Sequence, residues 1–282
     1  MKSIFNIFGK NSNLELKSAT YSLNLFIPTL IIIIISIFQN YELVSELSII
    51  VGFNIILTQI FSANSRALII RDNSKKLINI VFVFRIFIIA VSFTINTFLL
   101  FLFETIYFFE LLLFCIVILQ QWVTEIVLTK NELLKNKKIF ISYNFFSITF
   151  IILSIFLLFF DMNIIFAIIL FNLYLFFNLI SFYLSIDLYK LKSKDFKKFL
   201  FTILKSNQFY SSFSLSFANF VWRILVIYFC GKVIAGVYFA GFAIGSLPGT
   251  LFNNTFGPAL IRNNYNINKN WIKFFNLVCL VS

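Results

Sequence analysis

The chain has 282 residues, of which 60% are hydrophobic and only 12% charged, with a formal net charge of +12 and no histidine. A soluble domain of this size leaves a large share of its area in water, and this composition has too few polar residues to cover it. The outside of the molecule therefore needs an apolar solvent, a lipid bilayer, and the missing histidine removes the commonest general base and zinc ligand.

Inside hydrocarbon every backbone N–H and C=O needs an internal partner, so only helices or a closed barrel can span. Barrel strands alternate apolar and polar residues. Here the apolar runs are continuous, as in Ile27–Phe38 and Ile141–Phe160, and the fold class expected is an all-α polytopic membrane protein. At about 20 residues per span, eight complete spans are expected near 19–38, 47–70, 77–103, 105–129, 139–160, 164–186, 208–230 and 233–260. A ninth begins near Trp271, and the sequence reaches Ser282 after roughly half a span. Lys2, Lys10 and Lys17 precede the first run, which is too long for a signal peptide and lacks a small-residue cleavage site, so it reads as a retained span.

Lysine and arginine set the orientation. One series of loops holds Lys2, Lys10 and Lys17; Arg71, Lys75 and Lys76; Lys130, Lys135, Lys137 and Lys138. It continues with Lys190, Lys192, Lys194, Lys197, Lys198 and Lys205, then Arg262, Lys269 and Lys273. The opposite loops hold only Lys232, beside Glu42, Glu46, Glu104, Glu110 and Asp161. The positive-inside rule places the N-terminus in the cytoplasm, and the basic charge belongs to loop lysines rather than to a nucleic-acid surface. Membrane lipids are the partners this pattern expects; nucleic acid is not.

The longest hydrophilic stretch, Asp187–Gln208, is lysine-rich and divides the chain into an N-terminal six-helix lobe (1–186), a basic linker (187–207) and the start of a C-terminal lobe (208–282). A faint internal echo fits this division. Ala67-Leu68-Ile69-Ile70-Arg71-Asp72-Asn73 closes the second span and Ala259-Leu260-Ile261-Arg262-Asn263-Asn264 the eighth, as parallel six-helix repeats would require.

Charges within spans are costly and are the first functional candidates. Arg66 and Glu125 lie near enough to Arg71 and Lys130 to reach an interface. Arg85 follows Lys76 at a depth of about 13 Å, and Arg223 is deeper still. Those two either face a wet, anionic path or pair structurally, as Arg85 with Glu125. A guanidinium suits phosphate because its planar fork makes two parallel charge-assisted bonds. Glu125 is the one carboxylate expected within the spans and so the candidate for ion coupling. Gly241, Gly245 and Gly249 recur every fourth residue and are expected to pack helices closely. Pro248 and Pro28 are hinge candidates. Cys115, Cys230 and Cys279 follow no metal or redox spacing. With no phosphate loop, triad or carboxylate pair in the sequence, no catalytic residue, metal or cofactor is expected, and the chain does not read as an enzyme.

The segment Gly236-Val-Tyr-Phe-Ala-Gly-Phe-Ala-Ile-Gly-Ser-Leu-Pro-Gly249, running on through Asn253-Asn254-Thr-Phe-Gly-Pro258, resembles the eighth-helix region of bacterial polysaccharide (O-antigen, Wzx-type) flippases. These belong to the multidrug/oligosaccharidyl-lipid/polysaccharide exporter superfamily. Phe61-Ser-Ala-Asn-Ser-Arg66, followed by Arg85, is similar to that family's N-terminal lobe. The resemblance implies a two-lobe transporter fold of six-helix repeats whose second lobe is incomplete here, so a truncated member is expected. It also implies transfer of an undecaprenyl-pyrophosphate-linked oligosaccharide across the bacterial inner membrane for lipopolysaccharide and other surface glycans. Arg66, Arg85 and Arg223 would take the pyrophosphate. A monomeric transporter working beside polysaccharide assembly proteins is the partner expectation. The competing expectations are a drug/cation antiporter of the same superfamily, which would need acidic cavity residues, and a membrane-embedded glycosyltransferase or polymerase, which would need a catalytic acid near an interface.

Overall fold

A computed structural model describes residues 12–62, 65–72, 75–102, 105–160, 162, 164–184, 193–205 and 207–251. All regular structure within these residues is helical. The helices are α1 (Ser12–Ile37), α2 (Tyr41–Ser62), α3 (Ser65–Asp72), α4 (Lys75–Leu102) and α5 (Phe108–Leu133). They continue with α6 (Lys137–Phe159), α7 (Ile165–Leu184), α8 (Ser193–Leu204), α9 (Asn207–Cys230) and α10 (Lys232–Leu251).

Seven of them, α1, α2, α4, α5, α6, α7 and α9, are long and apolar enough to cross a bilayer, which makes the chain a multi-pass membrane protein by length and composition. Eight complete spans were expected. The eighth, α10, has a described apolar stretch of only Lys232–Ser246, and the ninth falls outside the described residues. Of the span expected at 47–70, the described residues are helical to Ser62 in α2 and from Ser65 in α3.

Short turns keep neighbours antiparallel. Gln39 takes a positive φ of 62° before Asn40, whose side chain accepts from the backbone N–H of Leu43 at 3.2 Å and so caps α2. Gly231 closes α9 with φ 78°, the left-handed conformation that glycine adopts without steric cost, and α10 starts at the next residue.

The core has two parts. The larger joins α1, α2, α5, α6, α7 and α10 through residues such as Ile27, Val44, Phe114, Phe140, Phe171 and Phe239. The smaller joins α3, α4, α5, α7 and α8 around Ile69, Phe82, Val123 and Phe182. α9 and α10 both pack against α2, and α10 also against α1, so the helices after the basic linker share the core of the first two. Large side chains on the outside of α6, α7 and α9, among them Phe145, Phe156, Phe177 and Tyr228, are exposed, as lipid-facing positions are.

The linker contains a helix that was not expected. In α8, Phe196, Phe199, Leu200 and Ile203 fall at helical spacing on one side; Phe199 and Ile203 are buried, and Lys194 and Lys197 are exposed. Phe199 packs edge-on against Phe84 of α4 with centroids 5.5 Å apart, and Asp195 pairs with Lys76 at 2.9 Å. The helix is therefore docked on α4 rather than being free solvated chain.

Candidate functional site: three interior arginines

The end of the bundle that carries Lys17, Lys76 and Lys130 is its basic end. Here α5 presents Glu125, Thr129 and Glu132 at i, i+4 and i+7, one face of a helix, with the Thr129 hydroxyl donating to the carbonyl of Glu125 at 2.7 Å. Two arginines meet this face.

Arg85 is wholly buried. Its Nη1 pairs with the Glu125 carboxylate at 2.8 Å and donates to the Trp122 carbonyl. Its Nη2 reaches Ser65 at 2.6 Å and Ser62 at 3.3 Å, and the guanidinium carbon lies 4.6 Å from the Trp122 ring centroid. One side chain thus ties the end of α2 and the start of α3 to α5. Of the two readings open for Arg85, a wet path or a pair with Glu125, the geometry is that of the pair.

Arg66 is a fifth exposed. It stacks on the Tyr21 ring at 3.5 Å and pairs with Glu132 at 3.3 Å. Tyr21 donates to the same Glu132 oxygen at 3.2 Å, and Lys17 lies 3.9 Å from the other. Glu132 therefore gathers α1, α3 and α5. The expectation of a single interior carboxylate missed it, although its heptad spacing from Glu125 with Thr129 between was readable in the sequence.

Arg223 of α9 sits toward the opposite end with 8% exposure. It donates to the Ser48 carbonyl and, at 3.0 Å, to the Ser48 hydroxyl. It lies alongside Gly52, where an added Cβ would come within 3.0 Å of the arginine stem. No salt bridge to Arg223 exists among the described residues, and the Nε atoms of Arg66, Arg85 and Arg223 are all buried without a hydrogen-bond partner there. An uncompensated buried guanidinium is costly, and α2 lowers that cost only by a serine and a carbonyl dipole.

Between these levels, Asn54, Ser92, Asn96 and Cys115 form a fully buried polar cluster across α2, α4 and α5. Asn54 Oδ1 accepts from Ser92 at 2.9 Å and from Asn96 at 3.1 Å; Asn54 in turn donates to Cys115 Sγ at 3.7 Å. The cluster is internally satisfied, which is how polar groups join helices in lipid. No group of three or more acids, cysteines or histidines arranged for a metal occurs among the described residues.

At the acidic end, Glu46 of α2 pairs with Lys232 of α10 at 2.6 Å and accepts from Thr105. One turn further, the backbones of α2 and α10 nearly touch: a Cβ on Gly236 would lie 2.0 Å from the Tyr41 carbonyl oxygen. Added Cβ atoms on Gly241 and Gly245 meet nothing within 4 Å among the described residues. The close helix approach expected of that stripe thus falls on Gly236 instead. Gly249 and Pro248 lie in α10, and their side-chain surroundings are outside the described residues. Pro28 lies within α1. Lacking an N–H, it leaves the carbonyl of Asn24 without its helical donor, at the residue whose side chain bonds Tyr143 at 2.5 Å and the Gln121 carbonyl at 3.2 Å.

Comparison with known protein families, with characterised proteins and with solved structures finds no match to this chain.

Proposed function

We propose that this chain is a transporter unit that carries an undecaprenyl-pyrophosphate-linked oligosaccharide from the inner to the outer leaflet of a bacterial inner membrane, with its N-terminus in the cytoplasm. The observation that carries the reading is Arg223: a guanidinium buried at a helix contact with a serine for partner and no carboxylate among the described residues. An ionisable residue within the membrane marks a substrate or ion pathway by default, and a guanidinium suits an anionic one. The interior acids point the same way. Glu125 is held by Arg85 and Glu132 by Arg66, so a cation carrier would find neither acid uncommitted. Arg66, partly exposed at the basic end, is the cytoplasmic entry contact in this scheme.

The contact of α9 and α10 with α1 and α2 is where two six-helix lobes would part in alternating access. Arg223, Gly236 and Lys232 all lie on that seam. The test is Arg223→Met in cells whose surface glycan depends on this chain. Replacing a buried charge by an apolar side chain of similar length is neutral or stabilising, so protein levels hold while glycan export falls at least tenfold. Export unchanged at normal protein levels would overturn the proposal.

A further inference from the structure

The helix α8 carries apolar residues on two sides, and the bundle covers one of them. Phe196, Phe199, Leu200 and Ile203 dock inward. On the other side Lys194, Lys197, Phe201, Leu204 and Lys205 fall at i, i+3, i+7, i+10 and i+11, within an arc of about 100° on the helix. All five are exposed, Phe201 by 61% and Leu204 by 38%. The Lys205 ammonium lies 5.4 Å from the Phe201 ring centroid, beside the ring at the edge of this face. Asp195, the one acid of the helix, pairs with Lys76 of α4 at 2.9 Å, so the outward face carries positive charge alone.

Two contacts and one connection put that face at the boundary of a leaflet. Asp195 meets Lys76 at the start of α4, whereas Phe199 meets Phe84, eight residues and about 12 Å further along the same helix. The helix therefore dips beside α4 from its charged start toward its apolar interior. The spanning helix α9 begins at Asn207, three residues after Leu204, so the C-terminal end of α8 is also held where a span enters the bilayer. Lysines flanking an exposed ring and an exposed leucine are the pattern of a helix lying in the interface, with charged heads among headgroups and apolar side chains below them. The sign of the charge selects the headgroup.

We infer that the outward face of α8 is a binding surface for anionic lipids of the leaflet at the basic end, with Phe201 and Leu204 set among the acyl chains and Lys194 and Lys197 on the headgroup phosphates. Each lysine close to an anionic leaflet is worth about fivefold in affinity, and the two apolar side chains give that attraction a depth. The surface faces away from the bundle and its three arginines, and its occupancy is measured without transport, so it stands apart from the proposed function.

The test compares the full chain in nanodiscs of phosphatidylcholine with nanodiscs of an equal mixture of phosphatidylcholine and phosphatidylglycerol. Hydrogen exchange over residues 193–205 slows about fivefold in the mixture, and high salt returns it to the phosphatidylcholine rate. Combining Lys194→Gln with Lys197→Gln removes the difference, while exchange in α5 stays at the parent rate and shows that the bundle is intact. A nitroxide on Phe201→Cys, in a chain carrying Cys230→Ser and Cys279→Ser, is relaxed more by oxygen than by a water-soluble nickel chelate. Equal exchange of α8 in the two lipid compositions overturns the assignment. So does a nitroxide relaxed chiefly by the nickel chelate, which would leave this face in water and open to an acidic soluble partner instead.

Discussion

Arg85 and Glu125 are joined at 2.8 Å across α4 and α5, with the arginine wholly buried and every Nη hydrogen bond directed at α2, α3 or α5. Breaking one partner of such a pair strands the other charge and costs about 3–5 kcal/mol. Arg85→Met and Glu125→Leu should therefore each lower the apparent melting temperature in fluorescence-detected size exclusion. The double variant should recover most of the loss, because the stranded charge is gone. A double variant as unstable as the worse single would show that the pair is not coupled.

Glu132 competes with any external anion for Arg66. Removing its charge in Glu132→Gln frees the guanidinium at the price of one hydrogen-bonded ion pair. Inorganic pyrophosphate should then bind the purified chain roughly fivefold tighter by isothermal titration, about 1 kcal/mol, and Arg66→Ala in the same background should abolish the gain. An affinity unchanged by Glu132→Gln would remove Arg66 from the entry role.

Two glycine substitutions separate packing from open surface. Gly236→Ala drives a methyl into the Tyr41 carbonyl, forcing α10 away from α2, and should cost about 1–3 kcal/mol. Gly245→Ala meets open space and gains helix propensity, so its melting temperature should stay within about a degree of the parent or rise. Equal effects at the two sites would contradict the close approach at Gly236.

The docking of α8 rests on few side chains. Phe199→Ala removes a buried ring, a change that costs about 3–5 kcal/mol in a well-packed core, and should release the helix without unfolding the spans. Hydrogen exchange over residues 193–205 should accelerate by at least tenfold while α5 is unchanged. Protection retained in α8 would mean that the Asp195–Lys76 pair and Ile203 suffice to hold it.

Much of this architecture was readable from residue order alone, because hydrocarbon imposes a length and an apolar character that few soluble segments satisfy. The starts of α4, α6, α7 and α9 fall within about two residues of the expected spans. Other features turned on contacts that no linear pattern encodes. The roles of Ser62 and Ser65 depend on Arg85, which arrives from the next helix and bonds both hydroxyls. The regular glycine stripe drew attention to Gly241 and Gly245, whereas the position that matters for helix approach is Gly236, which is set by where α10 crosses α2. In the linker the opposite happened: lysine density obscured a clear helical period at Phe196, Phe199, Leu200 and Ile203. Glu132 was overlooked for a similar reason, since its place near Lys130 made it look like loop charge.

The seam between the first and last described helices has a consequence for biogenesis. Its polar contacts bridge 175 residues in the case of Arg223 and Ser48, and 186 in the case of Lys232 and Glu46. During synthesis α1 and α2 enter the membrane long before their partners exist, with Ser48 and Gly52 facing lipid or a transient companion. Assembly of this protein is thus late-closing: the earliest inserted hairpin stays unfinished until the ribosome has delivered α9 and α10. A nascent chain arrested before residue 207 would present that unfilled face to the cell's quality-control proteases.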